Sequence, residues 1–431
     1  LDAPLGNLGI LDKQLRADLS EMAEKAWDRL VELCIDHEAS FLVLAGDVFH
    51  DVASDRANRR LQEGLERLAD NDLRVFICHG NHDPMNKDFR PFADLPPGVE
   101  RFEPGDPQSH QFPLRVSGDL VQISGVSYGR RHEHENLARK FRVLDRQPGT
   151  VAHIAVLHAN VGEQEDHGDY APCTYADLAA ASKIDYWALG HIHKRSSPGA
   201  NAEYCGNLQG RSFKPAECEP KGALVVPIEA GRVGQPRLMP CDTVRFVRSE
   251  VLVEPDDTDI AVLARIEDAA SKLGTEHTGR AVAWRMTLTG SHREAARLCN
   301  RFQERSVLEG MNHDMSALLN GGGLCDIAFS VRPDVDREAL LATGDLRSAV
   351  LKELDRLSAT TRASDAANSE LNNLLRQGLR LHRGRQPTDL TELQAEWDGM
   401  LDESPEFLDE VVSLAEQLLC DAFANELGEV R

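Results

Sequence analysis

Four places in the chain put metal-binding side chains directly after a short apolar run. Phe41-Leu42-Val43-Leu44-Ala45 leads to Gly46 and Asp47. Leu73 to Cys78 leads to His79-Gly80-Asn81-His82-Asp83-Pro84. Ile154 to Leu157 leads to His158, and Tyr186 to Leu189 leads to Gly190-His191-Ile192-His193. The two oxygens of a carboxylate carry enough lone pairs to bridge two cations. Asn81 offers a neutral amide oxygen, and His82 an imidazole that can ligate or transfer a proton. His191 and His193 are two residues apart. On an extended backbone they face the same way, toward one ion or toward two neighbouring ones. Each residue alone has a plainer explanation: Asp47 as a helix N-cap, Asn-His-Asp as a polar turn, a single histidine as structural. Their recurrence after strand after strand is what those explanations leave over.

The positioning elements follow from the apolar pattern. Phe41 to Ala45 is short, continuous and stopped by glycine, which predicts a fully buried strand. Leu73 to Cys78 predicts a second. Between them Leu61, Leu65 and Leu68 mark the inner face of a helix over Asp55 to Leu68. Strand, helix, strand with short loops is a βαβ unit with parallel strands. Ligands in such sheets bind at the carboxyl ends of the strands, where all four clusters fall. Upstream, Leu19, Ala23, Ala26, Leu30 and Cys34 make a helical stripe over Gln14 to Cys34, a packing element. His37 falls in the loop after it and is expected to be exposed.

Composition bounds the rest. A chain of 431 residues favours two or three domains. No apolar run approaches the ~20 residues that span a bilayer, so no membrane partner is expected. Nine cysteines, an odd number without a CxxC pair, argue against a disulfide framework or zinc ribbon and for a reducing, cytoplasmic setting. The net charge of -23 has the wrong sign for gripping nucleic acid by bulk electrostatics. Contact with nucleic acid then requires local basic patches, bound divalent cations or a basic partner.

Oxygen and imidazole donors without cysteine select Mn, Fe or Zn over a thiolate site. Two such ions about 3.5–4 Å apart are the usual arrangement for hydrolysing a phosphoester.

The set GD at 46–47, GNHD at 80–83, His158 and GHIH at 190–193 resembles, in order and spacing, the calcineurin-like metallophosphoesterases. Leu1 to Leu8 (LDAPLGNL), Asp169 to Cys173 (DYAPC), DYWALGHIHK at 185–194 and Gly206 to Phe213 (GNLQGRSF) are similar to the SbcD/YhaO-type DNA repair nuclease subunits within that group. The resemblance is strong to about Ile228 and weaker beyond. It implies an α/β fold with a four-layer αββα core, a small α+β capping domain and a helical C-terminal tail, at 1–240, 241–333 and 334–431. It implies two divalent cations, Mn²⁺ first, with Fe, Zn or Mg as alternatives. Asp47 would bridge them. Asn81, His158 and His191 would complete one site, and His193 would belong to the other. His82 would be the general acid or transition-state stabiliser, positioned by Asp83. The family pattern opens with Asp-x-His on its first strand, ahead of the stretch at Leu1. Those two ligands are not in the sequence, and a preceding strand that carries them is expected in the natural protein. The implied activity is exonuclease, and also endonuclease, hydrolysis of DNA ends in repair. The implied partners are DNA and an SMC-like coiled-coil ATPase, with a homodimer left open. A phosphoesterase for another substrate, and a non-catalytic subunit with an incomplete metal site, are the alternatives.

Other residues near these clusters suit phosphate. Arg130 and Arg131, followed by His132 and His134, come after a strand expected at Val121 to Val126, and Arg211 follows the tight Gly206 to Gly210 segment. Arginine matches phosphate geometry. A solvated charge, or an ion pair with the plentiful acids, explains each equally well. Past Pro240, strands at Thr243 to Val253, Val282 to Leu288 and Leu324 to Val331 alternate with helices at Ile260 to Leu273 and His292 to Phe302. The tail carries two helical stripes, Leu346 to Leu357 and Leu408 to Ala422, around a polar linker at Arg376 to Pro387. The expected role of the tail is to dock the ATPase by helix-in-groove packing; packing of the two stripes on each other and on the cap explains them equally well.

Overall fold

Two sheets stack face to face, and helices cover the outer face of each. The computed structural model describes residues 21–50, 54–85, 95–162, 170–199 and 201–334, with 341, 342 and 352. The stretch Leu1 to Leu8, Leu19, the acidic segment Glu163 to Asp169 and both tail stripes lie outside the described residues.

Helix α1 (Met22–Asp36) leads into β1 (Phe41–Ala45), α2 (Asp55–Asp70) and β2 (Arg74–Cys78). The Ser54 hydroxyl caps α2 by accepting from the Ala57 amide at 3.1 Å. β1 and β2 run parallel with Ala45 opposite Cys78, and β3 (Val99–Arg101) joins the outer side of β2. The second sheet contains β4 (Gln108–Pro113), β5 (Leu120–Val126), β6 (Thr150–His158), β7 (Tyr186–Gly190), β8 (Ser196–Gly199) and β9 (Ala202–Tyr204), in the order β4-β5-β6-β7-β9-β8. β5, β6, β7 and β9 are parallel, and the two outermost pairings are antiparallel.

Side-chain alternation builds the layers. On β1 and β2, Leu42, Val75 and Ile77 face Leu30, Val31, Leu61, Leu65 and Leu68 of α1 and α2. Each of these leucines and valines is worth about 1.5–3 kcal/mol when fully buried. Their neighbours Phe41, Val43, Phe76 and Cys78 face the other way, against Ile154 and Val156 of β6. On β6 the intervening Ala155 and Leu157 look outward, to Leu137 and Phe141 of a short 3-10 turn and to Leu178 of α3 (Tyr175–Ala180). The result is helix, sheet, sheet, helix: a mixed α/β core with the four layers expected.

β1 departs from expectation in one respect. The apolar run predicts full burial, yet only Leu42 is buried and the rest are half-buried. β2 pairs with one edge of β1. Its other side lines a cavity of about 930 Å³, and Gly222 to Val225 line that cavity as well. Hydrophobic sequence reports which residues prefer burial, and it is silent on whether a neighbour covers each edge.

Beyond the second sheet come α4 (Pro215–Cys218), β10 (Gly222–Val225), β11 (Ile228–Glu229), β12 (Arg232–Val233) and β13 (Arg237–Pro240). β10 pairs antiparallel with β13, and β11 with β12. Then follow β14 (Val244–Val253), α5 (Asp259–Glu276), β15 (Ala281–His292), α6 (Ala295–Gln303), α7 (Arg305–Met315) and β16 (Gly323–Pro333). β14, β15 and β16 form a three-stranded sheet in that order.

The chain divides into two compact units: one contains 1–249, 269–286 and 309–326, the other 250–268, 287–308 and 327–431. The first holds the stacked sheets. In the second, the Asp257 carbonyl accepts from His292 Nε2 at 2.8 Å, its carboxylate pairs with Arg265 at 2.9 Å, and Arg297 pairs with Asp259 at 3.0 Å.

Candidate metal centre

The parallel registers bring the strand ends together. Ala45 lies beside Cys78 in one sheet and His158 beside Gly190 in the other, so two pairs of loops meet where the sheets stack. Left-handed backbone then aims the side chains. Gly46 has φ +97°, Asp47 +53° and His191 +103°. Asp47 and His191 pay the strain that non-glycine residues incur there, as residues at functional sites often do.

The outcome is a cluster in which ligand atoms of Asp47, His158 and His191 all lie within 4.8 Å of one another. His158 Nε2 is 3.3 Å from Asp47 Oδ2 and 3.0 Å from Asn81 Oδ1. Its Nδ1 is 2.9 Å from the Ala45 carbonyl oxygen. A carbonyl only accepts, so Nδ1 carries the proton and Nε2 is the ligating nitrogen. The cradle is drawn tight by glycines. A Cβ on Gly190 would stand 1.7 Å from the Ala45 oxygen, and one on Gly46 2.3 Å from His158 Nδ1.

Electrostatics fits a cation. Burial alone would push the Asp47 carboxyl up, but the facing His158 ring outweighs it and holds the group well below the usual carboxylate range. Burial alone would likewise push His158 down, and Asp47 reverses it, raising the imidazole. One ionised carboxylate, two imidazoles and an amide oxygen, with no thiolate in the cluster, are donors for a divalent ion of the Mn, Fe or Zn type. The residues present fit such an ion. Among the described residues this is the one group of three or more His, Cys, Asp or Glu side chains with that geometry.

His82 stands at the rim. Its amide donates to Asp47 Oδ1 at 2.9 Å, and its Nδ1 lies 2.6 Å from the His50 carbonyl oxygen. The two rings stack with centroids 4.5 Å apart. His50 therefore fixes the tautomer of His82 and its ring plane. Asp83 has another task. Its Oδ1 accepts from the amides of Asp47 at 3.2 Å and Gly80 at 2.7 Å, and its Oδ2 from Val48 at 2.9 Å. One buried carboxylate thus ties the loop after β1 to the loop after β2.

His193 is placed apart from the cluster. Its Nδ1 is 3.3 Å from Glu217 Oε1, and its carbonyl accepts from Lys221 Nζ at 2.7 Å. Burial would raise the Glu217 carboxyl, but bonds from His193 and Asn207 and the Lys221 ammonium pull it down to about 2. His193, Asp47, His82 and Arg211 all line the cavity beside β1. The Arg211 amide donates to Glu217 Oε2 at 3.1 Å. Arg130 is exposed and forms a two-pronged pair with Glu133, at 3.2 and 2.8 Å, and Arg131 is exposed.

His50, Glu217, Lys221 and Tyr170, whose ring lies 5.5 Å from that of His191, went unseen in the sequence. His50 had a signal, since it lies three residues past Asp47 in the same loop. Glu217 had none: it comes from a short helix brought in by the fold.

Comparison with known proteins identifies the family. Residues 17–195 match the family model described as calcineurin-like phosphoesterase. The chain is 30% identical over 300 residues to the uncharacterized metallophosphoesterase YhaO of Bacillus subtilis, a match covering 68% of this chain and 70% of that protein. It is 26% identical over 156 residues to the DNA double-strand break repair protein Mre11 of Methanocaldococcus jannaschii, covering 35% and 39% of the two. With the protein of the same name from Archaeoglobus fulgidus it shares 30% identity over 184 residues, covering 39% of this chain and 40% of that one. The match thus spans about two fifths of these two repair proteins.

Proposed function

The chain belongs to the calcineurin-like metallophosphoesterases, a family of metal-dependent phosphoester hydrolases, and we propose that it hydrolyses phosphodiester bonds at DNA ends in repair. The observation that carries the chemistry is the cluster of Asp47, His158 and His191 with Asn81 at its edge. The Mre11 relatives, named as DNA double-strand break repair proteins, support DNA as the substrate.

In this reading Asp47, Asn81, His158 and His191 hold one divalent ion, and Asp47 with His193 contributes to a second. Mn²⁺ is the first candidate. Bound cations there supply hydroxide at neutral pH and neutralise phosphate oxygens. The chain's own residues do the rest. Ala45 keeps His158 in the ligating tautomer, and Asp83 holds the Asp47 loop in place. His82, proton-bearing at Nδ1 because His50 accepts there, donates from Nε2 to the leaving oxygen when doubly protonated. Arg211 at the cavity rim is assigned to phosphate oxygens, and Arg130 and Arg131 on the exposed loop would join it, Arg130 only by giving up its pair with Glu133.

The proposal keeps residues 1–240 as the nuclease domain, 241–333 as the cap and 334–431 as the docking segment for an SMC-like ATPase in the cytoplasm. Among the described residues no helix is long and apolar enough to cross a membrane. Deleting Gln386 to Arg431 is expected to abolish capture of that ATPase while the core stays folded.

The deciding experiment is a nuclease assay with and without Mn²⁺ on linear, hairpin and single-stranded DNA. Metal-dependent cleavage supports the reading. Hydrolysis of a generic phosphodiester with no cleavage of DNA moves the substrate elsewhere. One observation favours a second reading, a non-catalytic subunit: among the described residues, His193 is engaged with Glu217 and outside the compact cluster. Inactivity on every phosphodiester with metal bound would select it.

A further inference from the structure

A ladder of aromatic rings runs outward from the candidate metal centre. The His191 ring meets Tyr170 with centroids 5.5 Å apart and planes at 65°. Tyr170 lies on His132 at 5.6 Å and 22°, and His132 on His134 at 6.4 Å and 16°. The last three rings are therefore close to parallel. Tyr170 is half-buried, and both histidines are exposed.

The backbone beneath the ladder is pinned. The Tyr170 carbonyl accepts from the Asn160 amide at 3.0 Å, two residues past His158, and the Ala171 amide donates to the Glu133 carbonyl at 2.6 Å. The Cys173 amide returns to the Asn160 carbonyl at 3.0 Å. Glu133, between the two histidines, is buried and clamps the loop through Arg130 and the Glu135 amide. These bonds fix Tyr170 and the 130–135 loop against the strand end that delivers His158.

Near-parallel rings that are exposed at one end and abut a phosphate-chemistry site at the other suit a flat, apolar-faced ligand. Resting on the reading of the protein as a nuclease, we propose that Tyr170, His132 and His134 form a stacking platform for an unpaired nucleobase of the nucleic-acid strand whose phosphate lies at the metal centre. Stacking is indifferent to sequence, because every base has a π-face. It needs a base free of its partner, so the platform favours single-stranded or frayed ends over intact duplex. It also adds affinity without basic charge, which a chain with net charge -23 has little of to spare.

The test is equilibrium binding of the full chain, loaded with Mn²⁺, to a short thymidine oligonucleotide and to an abasic oligonucleotide of the same length, both with non-hydrolysable phosphorothioate linkages. His134→Ala, which removes the exposed end of the ladder, and Tyr170→Ala, which removes the ring that supports His132, are each expected to weaken the thymidine strand about tenfold, the scale of one stacked base, and to leave the abasic strand unchanged. Tyr170→Phe, which keeps the ring, is expected to bind as the parent does. Thermal melting of each variant checks that it is folded. Equal losses on both strands, or wild-type protein that binds both equally, would overturn the platform while leaving the nuclease reading intact. Wild-type protein that binds neither strand would overturn both.

Discussion

His158 Nδ1 lies 2.9 Å from the carbonyl oxygen of Ala45, so a side chain from one sheet is oriented by the backbone of the other. The ligating tautomer of His158 exists only while the two sheets are stacked at their present spacing. If His158 ligates an ion, metal affinity and core packing are coupled through that one bond.

Gly190→Ala tests the coupling at a residue that is not itself a candidate ligand, although its Cβ would press on both partners of the bond, standing 2.8 Å from His158 Nδ1. The new Cβ would stand 1.7 Å from the Ala45 oxygen, a backbone atom, so the strand ends must shift to admit it. The expected result is about 1–3 kcal/mol of destabilisation from overpacking, together with loss of bound metal. Denaturant unfolding and metal analysis of the purified variant measure the two effects. Full metal occupancy at unchanged stability would show that the sheets have slack here.

His82 and His191 are expected to separate by function. His82→Ala should keep metal and lose about 10²–10⁴ in turnover, the scale of a general acid. His191→Ala should lose metal and activity together. Equal metal loss in both would contradict the assignment of His82 as a proton donor.

Asp83→Ala should be among the most damaging single changes in the core domain. It strips acceptors from the amides of Asp47, Val48 and Gly80 at once. The expected cost is about 3–5 kcal/mol, the range seen when a buried charged network loses a member, with metal lost as the Asp47 loop loosens. A melting temperature within a few degrees of wild type, with metal retained, would refute the role of this carboxylate as the tie between the two loops.

His153 gives the fold a pH dependence of its own. Its Nε2 meets the Ser124 hydroxyl at 2.7 Å inside the second sheet. Burial first, and then the Arg146 guanidinium, push this imidazole down to about 4 from its ordinary 6.5. Above pH 6.5 the ring is neutral in both folded and unfolded chains and nothing is lost. Between 6.5 and about 4 the unfolded chain takes up a proton that the folded one refuses, so stability falls as the pH falls and levels off below that window. Urea midpoints from pH 7 to pH 4 should decline more steeply for wild type than for His153→Gln. Parallel curves would assign the acid sensitivity to other groups.

The candidate ligands were legible in the sequence because their signal is local. Asp47, Asn81, His158 and His191 each follow an apolar run directly, and a strand end is where a parallel sheet opens to ligands. The four layers were implied by the family resemblance; the continuous apolar runs at β1, β2 and β6 indicated buried strands without saying which residue faces which layer. Distant partners were hidden. Glu217 reaches His193 across 24 residues and a helix of four, and the stack of Tyr170 on His132 joins two loops with no shared pattern. The strands β8 to β13 run two to four residues, too short for a period of two to stand out.

The alternation along β6 sends Ile154 and Val156 to the space between the sheets and Ala155 and Leu157 to the helices. His158 continues the inward series. Its place at the metal centre is thus a matter of parity, set by counting back along the strand. One residue inserted within the regular stretch from Ile154 to His158 would exchange the two faces, carrying the imidazole to the helix layer and a leucine to the candidate centre, whereas two inserted residues would restore the original sense. The irregularity at Val151, where Leu120 pairs with Thr150 and Val121 with Ala152, shows that an odd residue can be absorbed at the start of the strand, so the parity rule binds only the regular stretch that ends at His158.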